Sequence, residues 1–438
     1  MVGNTYPYKL KDWKDDIVLA HASGIDGFAL NMGRDEWQPS RVADAYEAAL
    51  QSGLDFKLFL SLDMASFPSA TPNDAQTIRQ ITLSFASHQN QLKINDRAFV
   101  STFAGESSTF GQGSVINGWK NQFAGHPDLE GKIHFVPSFF IDPATFGGFK
   151  GVMDGDFNWN SGWPIHVTTD YVQRLLSGVD IFSSRVQNTL GQLIGNTDSD
   201  VEHRKNLGAL TSGTKPTYMA AVSPWFFTHY GVDTYNKNFV FLSDQHLYAK
   251  RWESLVATRD DVDIVQVLTW NDYGESHYIG PIKGAQPNSE AWVDGMEHTG
   301  WLELTRYYAT AFKTGHYPDI EADKIVMWSK PHPSQARAPD PIGQPTNFEL
   351  FDDKIWAVVL TTAPSTVVLS TSPTVSQTFE VPAGLTKLDI PITAGGKMRG
   401  TISRGGQVVV NLDAPEFTFT ANPDSYNFNA FVASASAE

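Results

Sequence analysis

The chain has 438 residues, 41% of them hydrophobic, and its 48 acidic against 32 basic side chains give a formal charge of −16. Such a length predicts one large domain and a smaller one, and an acidic chain without a Lys/Arg block is not expected to bind nucleic acid. The absence of cysteine excludes disulfides, thiolate nucleophiles and thiolate-bound zinc, and no run approaches the roughly 18 to 20 apolar residues of a membrane span.

The amino terminus, MVGNTYPYKLKDWKDD, lacks the basic-then-apolar layout of a secretory signal. Met1–Thr5 reads as the remnant of a strand. Apolar β-like runs then alternate with helical patterns: 24–31, 56–63, 98–106, 133–140, 151–159, 218–227 and 263–272. Most are almost continuously hydrophobic, as suits strands covered on both faces. SRVADAYEAALQSG predicts a helix with Ser40 as N-cap, Val42, Tyr46 and Ala49 inward, and Gly53 just past its end. DAQTIRQITLSFASHQNQL repeats the pattern through Ile78, Ile81 and Phe85, and HTGWLELTRYYATAF through Trp301, Leu304, Tyr308 and Ala311.

This alternation predicts a closed (β/α)8 barrel over residues 1–327. A doubly wound open sheet competes, but GQGSVING at 111–118 lacks the spacing of a dinucleotide-binding turn. WSKPHPSQARAPDPIGQP, 328–345, carries five prolines and reads as a semi-rigid linker. In 346–438, KIWAVVL, TVVLST, QTFEVP, TKLDIPI, GKMRGTIS, GQVVVNL and EFTFTA alternate with turns, as in an antiparallel β-sandwich with an accessory role.

A barrel carries its chemistry where its strands end at their carboxyl side, so the polar residue closing each run is the candidate. That selects Asp63, Glu106, Asp154, Asp156, Asp272 and Glu275, with His229 and His277 the plausible histidines. GES occurs at 105–107 and 274–276, but neither completes GxSxG, and HExxH is absent, so serine and zinc hydrolysis find no motif. Acetal cleavage needs one protonated and one ionised carboxyl and no cofactor or metal, which matches this set. Trp159, Trp163, Trp225 and Tyr273, among 12 Trp and 14 Tyr, are candidate sugar-facing aromatics. The plain alternatives are a turn or N-cap role for Asp63, an Asx turn with a first-turn helix acid for Asp272 and Glu275, and core packing for the tryptophans.

MVGNTYPY, FLSLDMASFP, FVPSFF, FNWNSGWP, SPWFFTHY and LTWNDYGESHYIGPI, in this order, resemble the fungal endo-1,3-α-glucanases (mutanases) of glycoside hydrolase family 71. The resemblance implies a barrel with an appended β-sandwich, hydrolysis of cell-wall α-1,3-glucan with inversion, secretion, and essential acids at Asp63, Asp272 and Glu275. On this reading Glu275 is the general acid, its pKa raised by its surroundings, Asp272 the base, and Asp63 an orienting group. Inversion then predicts carboxyl groups about 6.5–9.5 Å apart. Glu106, Asp156, Trp159, Trp163, Trp225, His229 and Tyr273 are expected to line the substrate, and a monomer is expected. A glucan-binding protein without turnover, or a hydrolase of another α-glucan, are the alternatives.

Overall fold

The structure, a computed structural model, describes residues 1–211 and 213–437. It divides into two compact units, one of Met1–Gly162, Thr197–Val222 and Ala257–Val267, the other of Trp163–Asn196, Ser223–Val256 and Leu268–Glu438.

In the first unit every apolar run becomes a strand. β1 (Gly27–Met32), β2 (Lys57–Asp63), β4 (Arg97–Phe103) and β5 (Ile133–Phe135) pair in parallel, and β3 (Lys93–Ile94) adds antiparallel to β4. β6 (Gly155–Asn158), β7 (Thr217–Val222) and β10 (Ile264–Val267) form a second parallel sheet. Backbone hydrogen bonds from Asp154 to Phe135 (2.7 Å) and from Phe157 to Pro137 (3.0 Å) carry the ladder from one sheet to the other. The long hydrophobic runs are explained by burial: all six residues of β7, and Leu58 to Leu62 of β2, are enclosed.

Three helices cover the early strands: α1 (Leu10–Ala22), α2 (Gln38–Ser52) and α3 (Pro72–Ala86). Gly53 ends α2 in the left-handed conformation, as its sequence predicts. Ser40 does not cap it. Pro39 fits the first turn, the helix starts at Gln38, and the Ser40 hydroxyl donates back to the Trp37 carbonyl (2.7 Å). Tyr46 of α2 stacks on Phe85 of α3, with ring centroids 4.8 Å apart. Met1–Thr5 is no strand remnant either. Val2–Thr5 is a short 3-10 turn, closed by the Thr5 hydroxyl on the Val2 carbonyl (2.7 Å).

The second unit holds the hairpin β8 (Phe227–Tyr230) and β9 (Lys237–Val240) and a helix, Trp301–Thr314, that buries Trp301, Leu304, Tyr308 and Ala311 as predicted. It also contains two four-stranded antiparallel sheets. One orders β15 (Gly384–Pro391), β12 (Lys354–Thr361), β11 (Lys324–Ser329) and β18 (Phe431–Ser436). The other orders β14 (Val375–Val381), β13 (Ser365–Ser372), β16 (Met398–Arg404) and β17 (Gln407–Ala414). Their inward residues, among them Met327, Ile355, Leu369 and Ile402, share one core. EFTFTA is not a strand; Phe417 and Phe419 plug that core from an irregular segment. The proline-rich stretch is packed chain, with Lys330, His332, Ser334 and Ala336 buried and the Ser334 hydroxyl on the Phe351 carbonyl (2.8 Å). The protein is thus a mixed α/β chain with parallel and antiparallel sheets.

Candidate active site

The LTWNDYGESHY segment folds back on itself. Backbone bonds from Thr269 to His277 (2.5 Å), Ile279 to Thr269 (2.9 Å) and Gly280 to Trp270 (2.8 Å) draw its ends together, and the Ser223 hydroxyl holds the Leu268 carbonyl (2.8 Å). Between them Tyr273–Glu275 makes one 3-10 turn, and Ser276, at φ 60°, reverses the chain. Asp272 stands at the N-terminus of that turn without capping it; its backbone N–H is taken by the Thr269 hydroxyl (2.8 Å), leaving the carboxylate for other work. Glycine is required at 274, where a Cβ would lie 2.0 Å from the Tyr230 hydroxyl. The Tyr273 hydroxyl anchors the turn by donating to the Pro281 carbonyl and accepting from the Lys283 N–H, both at 2.9 Å.

This turn brings Asp272 and Glu275 onto one imidazole. His277 is fully buried, and its Nε2 lies 3.4 Å from Asp272 Oδ2 and 3.4 Å from Glu275 Oε2. Trp163 and Phe226 flank the ring, each at 5.5 Å between centroids. Neither ring nitrogen has a hydrogen-bond partner among the described residues; the carboxylates stand at ion-pair distance. Burial alone pushes His277 down, but Asp272 and Glu275 outweigh it and raise it to about 9. Burial likewise pushes Glu275 up; contact with His277, joined by Lys237 whose ammonium donates to Oε1 (2.9 Å), overrides it and lowers the carboxyl to about 2. The raised Glu275 expected from the aromatic surroundings is therefore corrected: the imidazolium decides. The wide carboxyl spacing is corrected too, since Asp272 and Glu275 each place an oxygen within 4.8 Å of the other. One ligand atom from each of Asp272, Glu275 and His277 lies within 4.8 Å of the others, close enough for the three groups to share a proton or a cation.

The other candidates separate by exposure. In the first unit Asp63, Glu106 and Trp159 are half-buried around Phe103. Asp63 pairs with Phe103 in strand register, Trp159 packs on its ring at 4.8 Å, and Phe140, also against it, donates its N–H to Glu106 Oε2 (3.3 Å). Asp63 also accepts from the Ala65 N–H (3.1 Å), the turn role weighed for it. Asp154 is structural, bound by Arg97 (2.8 Å) and the Phe135 N–H (2.9 Å). Asp156 has no exposed surface and accepts from His203 (2.7 Å); burial pushes its carboxyl up against the pull of His203.

In the second unit Trp163, Trp225, His229 and Tyr273 are all buried. Trp163 donates to the Trp225 carbonyl (3.0 Å) and Trp225 to that of Phe428 (2.7 Å); His229 lies between Asn238 and Asp340, both at 2.8 Å. Asp156, Trp163, Trp225, His229 and Tyr273, expected to line the substrate, are enclosed side chains held by their neighbours. The sequence reading left the roles of His277 and Lys237 unassigned. His277 had a signal, its place two residues after Glu275; Lys237, 38 residues upstream, had none.

The sequence model for glycosyl hydrolase family 71 matches residues 1–438. A glucan endo-1,3-alpha-glucosidase of Schizosaccharomyces pombe is 37% identical over 99% of this chain and 92% of its own length. A mutanase of Penicillium rubens is 32% identical over 99% of this chain and 87% of its own. An ascus wall endo-1,3-alpha-glucanase of S. pombe is 32% identical over 89% of this chain and 84% of its own. The chain belongs to glycosyl hydrolase family 71.

Proposed function

We propose that the protein hydrolyses the α-1,3-glucosidic bonds of fungal cell-wall α-1,3-glucan, within the chain and with inversion, outside the cell or in its wall. The observation that carries this is the pair of carboxylates held by one self-closed turn against a single buried imidazole, in a chain whose relatives bear the names of α-1,3-glucanases. Glu275 is the general acid and Asp272 the general base; Asp63, Glu106 and Trp159 contact the polysaccharide. The parallel strands belong to a (β/α)8 catalytic domain over 1–327, followed by the 328–345 connection and a β-sandwich accessory domain over 346–438.

Inversion needs room for a water, about 6.5–9.5 Å between carboxyl groups. The nearest oxygens of the pair lie within 4.8 Å of each other, so inversion on this reading requires the two side chains to stand further apart with substrate bound. Breaking an acetal here needs only a proton for the departing oxygen and a base for water.

The test is reducing-sugar release from insoluble α-1,3-glucan by the wild type, Glu275→Gln and Asp272→Asn, with α-1,4, α-1,6 and β-1,3 polymers alongside. Release from the α-1,3 polymer by the wild type, lost in both variants, supports the reading. Binding without release by all three makes the protein a glucan-binding module, and preference for another polymer moves the substrate. The first anomer released decides the stereochemistry: a β end means inversion, an α end retention.

A further inference from the structure

An inverting hydrolase ends each turnover with its acid ionised and its base protonated, so a proton must return before the next. We propose that His277 is the relay that returns it: Nε2 takes the proton that Asp272 has drawn from water and passes it to Glu275. The inference rests on the acid and base roles given above.

The geometry sets one imidazole nitrogen between the two acids, at ion-pair distance from each. One nitrogen faces an oxygen of each carboxylate at the same 3.4 Å, and neither ring nitrogen has a hydrogen-bond partner among the described residues. A histidine used only for packing has its nitrogens satisfied. His332, just as buried, has Nδ1 at 2.8 Å from the Pro333 carbonyl while Nε2 accepts from the Asn427 N–H at 2.9 Å. Around His277 the walls are the uncharged rings of Trp163 and Phe226. The charged and titratable groups facing the trio are Asp272 and Glu275 themselves, Lys237 from β9, Tyr230 from β8, and His298. Among the described residues, Asp272 and Glu275 are the carboxylates that form ion pairs with the imidazole nitrogen.

The cycle balances. At rest His277 carries the proton and both carboxylates are ionised. The Nε2–H bond breaks as an O–H bond forms on Glu275, leaving a neutral imidazole. Glu275 gives that proton to the glycosidic oxygen as its bond to carbon breaks, while water bonds to the carbon and loses a proton to Asp272. Asp272 then protonates Nε2, and the trio is as it began, with one water consumed. His277 touches no substrate in this scheme; it is a positioning residue that acts through the two acids.

The discriminating experiment is the pH profile of His277→Gln in the full chain on α-1,3-glucan. The number of protons on the trio sets the alkaline limb of kcat/KM, wherever the proton sits. With the imidazole present that single proton persists into alkaline solution; without it the proton is held by a carboxyl alone. The limb is expected to move to the acid side by about two pH units or more, with kcat down about tenfold or more and KM within about twofold. A limb unmoved from the wild-type position overturns the relay, and sugar release then still supports the hydrolase. No release from α-1,3-glucan by the wild type overturns the functional reading itself.

Should His277→Gln fail to fold, nitrogen NMR of the wild type decides. One of the 12 imidazoles is expected to titrate above about pH 8, and to fall by about a unit or more in Asp272→Asn. If every imidazole titrates below pH 8, the relay is wrong.

Discussion

His332 and His277 are equally enclosed, yet their proton affinities are pushed in opposite directions. His332 meets backbone groups, one accepting its proton and one donating to its lone pair, and burial sends it down to about 4. His246 behaves alike, with Nε2 donating to the Ala357 and Leu388 carbonyls, each at 3.0 Å, and burial lowering it to about 4. His277 meets two carboxylates and rises to about 9 although burial opposes it. Burial therefore fixes only the cost of a charge; the neighbours decide whether that cost is met. The same residue type serves as packing whose proton affinity is lowered beside the antiparallel sheets and as a group that holds its proton more tightly in the LTWNDYGESHY turn.

The strongest way to break this comparison is to remove the anions that hold the cation. Glu275→Gln keeps the shape of the side chain but loses its charge and acidity, and kcat on α-1,3-glucan is expected to fall about 10²–10⁴-fold. Reducing-end counting measures it, with glucan pull-down retained as evidence of an intact fold. Next in size is His332→Gln, which leaves buried partners short of a hydrogen bond at a cost of about 1–3 kcal/mol. It should lower the melting temperature while leaving kcat within about threefold, since its neighbours are structural. A loss of activity on the scale of Glu275→Gln would erase the distinction drawn here.

Much of this was legible in the chain, for reasons that name themselves. The seven apolar runs are strands because burial on both faces leaves an unbroken hydrophobic record, as in TYMAAV of β7. Asp272 and Glu275 stand out in the chain as two acids and a glycine just past an apolar run, and the structure brings both carboxylates to His277. Wherever a residue's role depends on a distant partner, the sequence is mute. Lys237 reaches Glu275 from another hairpin, Asp156 is sealed by His203 from a later helix, and Trp225 is tied to Phe428 across 203 positions. The sign of the Glu275 shift failed for the same reason: the aromatic neighbours were visible, but the fold of the turn onto His277 was not. FVASAS of β18 escaped because its small side chains give no alternation to read.

Stability against pH separates the two kinds of histidine without any substrate. The unfolded chain protonates His332 and His246 near 6.5, the folded chain only near 4, so stability falls as pH drops through that window. His277 works the other way. Its contribution is complete below 6.5 and is lost as pH rises through about 9. Melting temperature is expected to peak between these ranges. In Asp272→Asn the alkaline decline should begin at lower pH while the acid decline stays put; if both move together, the two sets of histidines are coupled and the contrast fails.

The finest test sets the buried imidazolium against the exposed ammonium on the same carboxylate. Lys237 is 50% exposed and bonds Glu275 Oε1 at 2.9 Å, whereas His277 contacts Oε2 with no exposure at all. Water screens the first pair, so it is worth about 0.2–1 kcal/mol, less than one pH unit on Glu275. Lys237→Met should therefore lift Glu275 only slightly, its carboxyl titration in carbon NMR moving upward by under about one pH unit and kcat changing less than about fivefold. A shift of two units or more would mean that the lysine, though half in water, governs Glu275. The ranking of contacts by burial would then be reversed, and the imidazole would lose its claim to set the charge of the pair.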